Sequence, residues 1–398
     1  MADVQPFRGI RYTSRPGTDL GPLLCPPYDI ISPEQQRELY QRSPHNAVRL
    51  ELGMNLPTDS AEANRYTRAA QLLEEWLSEG TLRAEEEAVF YLLQEEFVYQ
   101  GRSMSRRSIL ARVRLEEFSR RVVLPHEETS QGPKRDRMEL LTATEANLSP
   151  IMGVYRDPSG RVRALVDRVA AGPPLSYADY GDTRIQLWAV SEERAIDTVR
   201  ESLKDAPIYL ADGHHRYETA LQYRDIQRAD GDESEDAAHN FVMMSLIEIQ
   251  DPGLLVLPYH RVVRGLSPGE LEQVLGLVRE TFDLQPLEVR RDRTRATVSH
   301  LEEQMEGVAS AQVTLGLLEA GARRVSLLTL RDPPGASSPP LERCATLVLG
   351  RRVLEPVLGT QQGAVEKGIL HFTHDSEEVY RLVRSGDFQL GFVLPPLS

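Results

Sequence analysis

The residues best suited to chemistry stand in one unbroken string, Ala211-Asp212-Gly213-His214-His215-Arg216-Tyr217. It follows a short apolar run, Pro207 to Leu210, and opens a helical pattern reaching about Arg228, with Tyr217, Ala220 and Leu221 on one face. A glycine in a strand-to-helix turn lets the backbone come close to a ligand, and the first N–H groups of a helix have no partner within it. Such a turn seats an anion, and Arg216 beside it is able to fork onto phosphate oxygens. The amides of Gly213 and His214, with His215 and Arg216, are therefore expected to cradle phosphates. Asp212 ends the strand and is placed to act as helix cap, metal anchor or base. In the plainer reading Asp212 only caps the helix while His214 and His215 pack on neighbours. Two adjacent imidazoles and a guanidinium at a glycine turn favour a site.

Two further clusters offer titratable groups. Leu124-Pro125-His126-Glu127-Glu128-Thr129 pairs an imidazole with a carboxylate, and Lys134-Arg135-Asp136-Arg137 follows it. Only Lys134, Lys204 and Lys367 are lysines, so Lys134 hints that an ammonium is wanted there. The alternative is a polar loop whose charges compensate one another. In Cys25-Pro26-Pro27-Tyr28-Asp29 the prolines fix the chain and aim Tyr28 and Asp29, although a rigid turn before the next helix explains the segment equally well. Asn147-Leu148-Ser149-Pro150 and Pro258-Tyr259-His260-Arg261 read first as turns.

Adjacent histidines on a helix diverge by about 100°, so His214 and His215 do not readily share one ion. No His-x-x-x-His or Cys-x-x-Cys spacing lies near them. A transition-metal site built from His126, Glu127 and one of that pair stays open as an alternative. Magnesium brought in by a nucleotide needs only one or two carboxylates. Neither a Walker glycine-lysine loop nor a Gly-x-Gly-x-x-Gly turn is present, which removes the P-loop and Rossmann readings.

The elements that must hold these groups are legible in places. Ser32-Pro33-Glu34-Gln35 and Ser267-Pro268-Gly269-Glu270 each set a capping serine before proline. Asp59 to Gly80 carries Tyr66, Ala69, Ala70, Leu73, Trp76 and Leu77 at helical spacing, with Gly80 placed to end it. Ala88 to Tyr99 and Ser105 to Leu115 read as strands of a hairpin turning at Gln100-Gly101. The seven arginines from Arg102 to Arg121 alternate with Ile109, Ala111 and Val113, which favours a solvated strand face over a nucleic-acid surface. Further strands are expected at Phe241–Ile249 and Leu254–Leu257. Helices are expected near 268–282 and 291–306, with strands near 311–318, 323–330 and 388–394.

With 398 residues, 40% apolar and 27% charged, the chain has material for an ordinary core in about two domains. A formal charge of −14 argues against a duplex nucleic acid partner or an anionic membrane surface. Cys25 and Cys344 make neither a disulfide framework nor a zinc set. The first residues carry no basic-then-apolar pattern, so no signal peptide is expected, and no stretch is long enough for a membrane span. A cytoplasmic protein is expected.

Pro26-Pro27-Tyr28-Asp29, Leu124-Pro125-His126-Glu127, Asp136-Arg137, Asn147 to Pro150, Ala211 to Tyr217 and His260-Arg261 together resemble the domain of unknown function 1015 family. The resemblance runs to Phe392-Val393-Leu394-Pro395 and so spans nearly the whole chain. More distantly, the Gly-His-His-Arg turn is similar to the phosphate-holding turns of the ParB/sulfiredoxin superfamily, which includes free-serine kinases. Since His214 stands where sulfiredoxins carry a reactive cysteine, sulfinic-acid repair is not implied. The resemblance implies a mixed α/β fold with a ParB/sulfiredoxin-like nucleotide-binding core over residues 1–265 and an additional α/β region over 266–398. It implies ATP or ADP with magnesium as cofactor, and phosphoryl transfer to a small hydroxyl metabolite, free serine first. Asp29 or Glu127 would then take the hydroxyl proton, while His126, Lys134 and Arg137 steady the transferring group. The alternatives are a non-catalytic nucleotide-responsive binding module and a metal-dependent hydrolase using His126, Glu127, His214 and His215.

Overall fold

The computed structural model describes residues 1–15, 17–126, 131–232, 234–287, 294–308, 312–320, 324–335 and 338–396. Glu127 therefore lies outside the described residues. The architecture is mixed α/β and divides into two compact units, Met1–Leu254 and Leu255–Ser398.

In the first unit the strands are β1 (Val4–Gln5), β2 (Ile10–Tyr12), β3 (Leu82–Ala84), β4 (Phe90–Tyr99), β5 (Arg102–Arg114), β6 (Val123–Leu124), β7 (Ile151–Tyr155), β8 (Ser176–Tyr180), β9 (Thr183–Val190), β10 (Ile208–Asp212) and β11 (Phe241–Glu248). The helices are α1 (Pro33–Arg42), α2 (Val48–Glu51), α3 (Arg65–Ser78), α4 (Gln131–Thr144), α5 (Arg161–Ala170), α6 (Glu193–Leu203) and α7 (His214–Ala229). Among the described residues one sheet runs in the order β6-β10-β7-β11-β5-β4-β9-β8, with β1 added beside β5. Among the described strands of this sheet, β6/β10 and β7/β11 pair in parallel and the other pairs are antiparallel.

The β4–β5 hairpin turns on Gln100 and Gly101, whose φ values of 49° and 77° match the primed two-residue turn that suits strand twist. Along β5, Ile109, Ala111 and Val113 are buried opposite Leu246, Met244 and Val242 of β11. They join Tyr217, Ala220 and Leu221 of α7 and Leu165, Val199 and Leu203 of α5 and α6 in one core. One face of the sheet thus carries the helices. Of the strand's arginines, Arg106 pairs with Glu95 at 2.8 Å and Arg114 with Asp3 at 2.9 Å, while Arg112 lies over the Phe241 ring.

The helix expected from Asp59 begins only at Arg65. Asn64 forms a capping box with Thr67 there, and Asp59 instead binds Arg68.

The second unit comprises β12 (His260–Val263), α8 (Pro268–Thr281), β13 (Phe282–Leu287), α9 (Thr294–Val308), β14 (Thr314–Glu319), β15 (Val325–Leu330), α10 (Ala345–Leu349), α11 (Glu355–Leu358), α12 (Gln361–Glu366), β16 (Leu370–Thr373), α13 (Ser376–Ser385) and β17 (Leu390–Val393). Its antiparallel sheet runs β13-β15-β14-β17-β12-β16. Two local expectations give way here. Leu254–Leu257 forms no strand, and His260-Arg261, read as a turn, opens a strand whose four residues are all buried.

Candidate active site

Strand β10 delivers Asp212 to a bend at Gly213, whose φ of 89° lies in the left-handed region that glycine alone occupies cheaply. Helix α7, 16 residues long, starts at the next residue. Arg216 folds back over the bend: a Cβ built on Gly213 would sit 3.0 Å from its Nη2 and 3.1 Å from its Nε. The guanidinium is fixed by Nη1 donating to the Pro150 carbonyl at 2.8 Å and Nη2 donating to Asp212 Oδ2 at 2.6 Å. Gly213, not Asp212, is the N-cap residue of α7, and the Asp212 carboxylate is turned to Arg216.

This geometry makes Gly213→Ala a two-part lesion. A left-handed alanine costs on the order of 1–3 kcal/mol, and its methyl also displaces the Arg216 fork. Urea denaturation should show that loss to exceed the cost of Gly181→Ala, where φ is 60° and no atom lies within 4 Å of the added carbon.

The two histidines of the string part company. His214 is buried, and its Nε2 accepts the backbone N–H of His126 at 3.3 Å. His126 is exposed; its Nδ1 lies 2.7 Å from the Leu210 carbonyl, which only accepts, so that nitrogen carries the proton and Nε2 is left able to take one. The two rings meet edge to face at 4.4 Å. Parallel pairing of β6 with β10 produces this contact by running the Leu124–His126 segment alongside the end of β10. Both imidazoles are thus engaged by backbone groups rather than converging on a common point. Among the described residues no group of three or more His, Cys, Asp or Glu is arranged to hold a metal ion. His215 is half-buried at the start of α7.

Helix α4 packs on α7 and brings the basic residues of the second cluster alongside. Lys134 Nζ lies 2.8 Å from Glu218 Oε2. Arg137, with a side chain only 6% exposed, donates from Nη1 to Glu51 Oε1 at 3.1 Å, from Nη2 to the Glu51 carbonyl at 3.2 Å and from Nε to Asp136 Oδ2 at 2.8 Å. Asp136 also binds Arg65 and accepts from the Tyr66 hydroxyl at 2.8 Å.

The proline-rich corner reaches the same place. The Arg137 guanidinium lies 3.8 Å from the centre of the Tyr28 ring. Burial raises the Tyr28 hydroxyl above its ordinary range. The nearby Arg137 and Arg216 oppose that rise, and Asp29 and Asp136 add to it. Tyr28 therefore sits in the field of both arginines, while Asp29 is exposed beside it. Arg137, Glu51, Ser149, Thr219 and Arg216 border a narrow cleft floored by Ile151, Ala220 and Val242.

Of the residues the sequence singles out, Asp212, Gly213, His214, His215 and Arg216 lie at the β10–α7 bend with His126 beside His214, Lys134 and Arg137 lie on α4, and Asp29 is placed only next to Tyr28. Sequence reasoning missed Glu51, Arg65 and Tyr66. Glu51 gave no signal beyond a carboxylate between Leu50 and Leu52, and Tyr66 was seen only as part of an apolar face.

A mixed α/β sheet whose strand passes through a left-handed glycine into a long helix, under a folded-back arginine, defines the architecture. The chain belongs to the family described as protein of unknown function (DUF1015), whose model matches residues 4–351. Among curated proteins none matches. Among solved structures, a conserved hypothetical protein from Pyrococcus furiosus is similar at 14% identity and a TM-score of 0.31, over 69% of this chain and 78% of that one. Free serine kinase in complex with AMP is similar at 14% identity and a TM-score of 0.30, over 69% and 75%. A point variant of free serine kinase in complex with ADP is similar at 11% identity and a TM-score of 0.31, over 69% and 73%. Among the described residues no helix is long and apolar enough to cross a membrane.

Proposed function

We propose that the first unit binds the phosphates of ATP or ADP at the Gly213 bend and transfers a phosphoryl group to a small hydroxyl metabolite. The resemblance of the Gly-His-His-Arg turn to the ParB/sulfiredoxin superfamily makes free serine the first candidate and makes residues 1–265 the catalytic region. Residues 266–398 are read as a supporting region, in a protein working in the cytoplasm.

One observation carries the reading: the Arg216 guanidinium is held over a left-handed glycine at the start of a long helix and borders a cleft with a second arginine. The positive end of a helix and a fixed guanidinium both favour an anion there. Phosphoryl transfer asks mainly for position and charge neutralisation, which such a cluster supplies. Magnesium arriving with the nucleotide would neutralise phosphate charge, and Asp212 and Asp29 are the exposed carboxylates suited to it. His126 keeps Nε2 available for a proton, and Asp29 or Glu127 serves as base toward the hydroxyl. Arg137 borders the cleft and Lys134 stands on the same helix, and these two with His126 would steady the transferring group.

Wild-type protein should melt higher with ATP or ADP and magnesium, and phosphorus NMR should show a phosphorylated product with serine or another small alcohol. Arg216→Ala removes a charge-assisted contact of about 1.5–3 kcal/mol, so the nucleotide Kd should rise about 10- to 150-fold. An unchanged melting curve with every nucleotide would overturn the proposal. Nucleotide binding without product across a panel of alcohols would replace it with a nucleotide-responsive binding module.

A further inference from the structure

The first unit contains a second cavity, at the other end of β7 from the Gly213 bend. Pro150, whose carbonyl holds Arg216, precedes β7, and Tyr155 ends it. Ile151 and Tyr155 lie on the same face of the strand, four residues apart, which at strand rise separates the two places by about 13 Å. The cavity opens at the carboxyl ends of β7 and β11, which pair in parallel with Tyr155 opposite Glu248. Crevices outside the carboxyl ends of parallel strands are where open α/β sheets bind ligands.

Its volume is about 180 Å3. A water claims roughly 30 Å3 of liquid, and drug-sized sites occupy roughly 300–1,000 Å3, so the space suits a small metabolite. Ile109, Val166 and Leu246 supply its apolar wall. Ser105 and Ser108 border it too, but they leave β5 on opposite faces and their hydroxyl oxygens are closed off, so the polar wall is made by the charged residues.

The charges are sorted by sign. Glu248 and Asp251 border the cavity, and each is steadied by the backbone, Glu248 by the Gln250 N–H at 2.7 Å and Asp251 by the Gly253 N–H at 2.8 Å and the Arg107 N–H at 3.3 Å. Burial raises the Asp251 carboxyl above its usual range against the pull of Arg107 and Arg106, so a cation beside it would relieve a real cost. Arg107 is already committed to Gln94 at 2.6 Å and Asp167 at 2.5 Å. Arg163, exposed on α5 and also bordering the cavity, makes no side-chain hydrogen bond or ion pair among the described residues.

We propose that this cavity is a second ligand site, for a small zwitterion of the α-amino-acid class. Its ammonium is held by Glu248 and Asp251 and its carboxylate by Arg163. A metal ion fits poorly, since the carboxylates form no three-membered cluster among the described residues. A single-charge ligand leaves one wall unmatched.

The test is titration calorimetry of the full chain with glycine, L-alanine and L-glutamine in turn, alongside ethylamine and propionate. At least one amino acid should bind while the two single-charge compounds do not. Glu248→Gln and Arg163→Gln should each weaken that binding at least about tenfold, the worth of one charge-assisted contact. Both variants should leave the melting response to ATP unchanged. Arg163 is exposed, so its variant keeps the test alive if Glu248→Gln destabilises the fold. Binding by none of the three amino acids overturns the proposal. So does binding that survives both substitutions, and so does ethylamine binding as tightly as L-alanine.

Discussion

Arg137→Met is expected to lower the melting temperature of the first unit by about 6–20 °C. The guanidinium and its partner Glu51 each have side chains only 6% exposed, and Arg137 is the one cation bonded to the Glu51 carboxylate among the described residues. Removing one member of a buried pair leaves the other charged and unsolvated, which costs about 3–5 kcal/mol. For a unit of this size each kcal/mol moves the melting point by about 2–4 °C. Methionine keeps most of the volume, so cavity formation contributes little. Tyr28 also loses the cation on its ring, whereas Asp136 keeps Arg65 and Tyr66. The second substitution identifies the cause. Arg137→Met combined with Glu51→Gln should regain much of the loss in calorimetry, because the stranded charge is gone. A double variant as unstable as the single one would mean that Arg137 acts through packing alone.

That pair also shows where sequence reading stops. The bend at Gly213 was legible because strand, glycine and helix follow one another within a few residues, and each has its own local signature. The hairpin at Gln100-Gly101 and the caps at Ser32 and Ser267 were legible for the same reason. Glu51 and Arg137 are 86 residues apart, and their meeting depends on how α2, α3 and α4 pack, which no local pattern encodes. Likewise His214 and His215 look equivalent in the string. Only the parallel alignment of β6 with β10 decides that His214 turns inward to His126. In the second unit the error at His260-Arg261 came from weighing Pro258 and two polar side chains above Val262 and Val263. Burial of a histidine and an arginine inside a central strand contradicts the usual preference, and the sheet tolerates it because both side chains find specific partners.

The cost of that arrangement should appear as a pH dependence of the second unit. His260 is 3% exposed, and its Nδ1 accepts the Leu394 N–H at 3.0 Å, a bond that requires the neutral ring. Burial foremost, then the positive fields of His374 and Arg261, pull its pKa down to about 4, with Asp375 opposing weakly. The unfolded chain takes a proton on this histidine near pH 6.5, while the folded chain resists until about pH 4. In that window the unfolded state binds more protons, so stability rises with pH there and is lost as pH falls from 6.5 towards 4. The total is about 3 kcal/mol, most of it gone by about pH 4.5. Hydrogen exchange of the Val262 and Val263 amides, followed from pH 7 down to 4.5, should report this loss in the wild-type protein. His260→Gln should be less stable at pH 7, yet lack this component of the acid response. Parallel curves for the two proteins would show that the folded imidazole takes its proton as readily as the unfolded one, and the Leu394 N–H would then have to find a different acceptor.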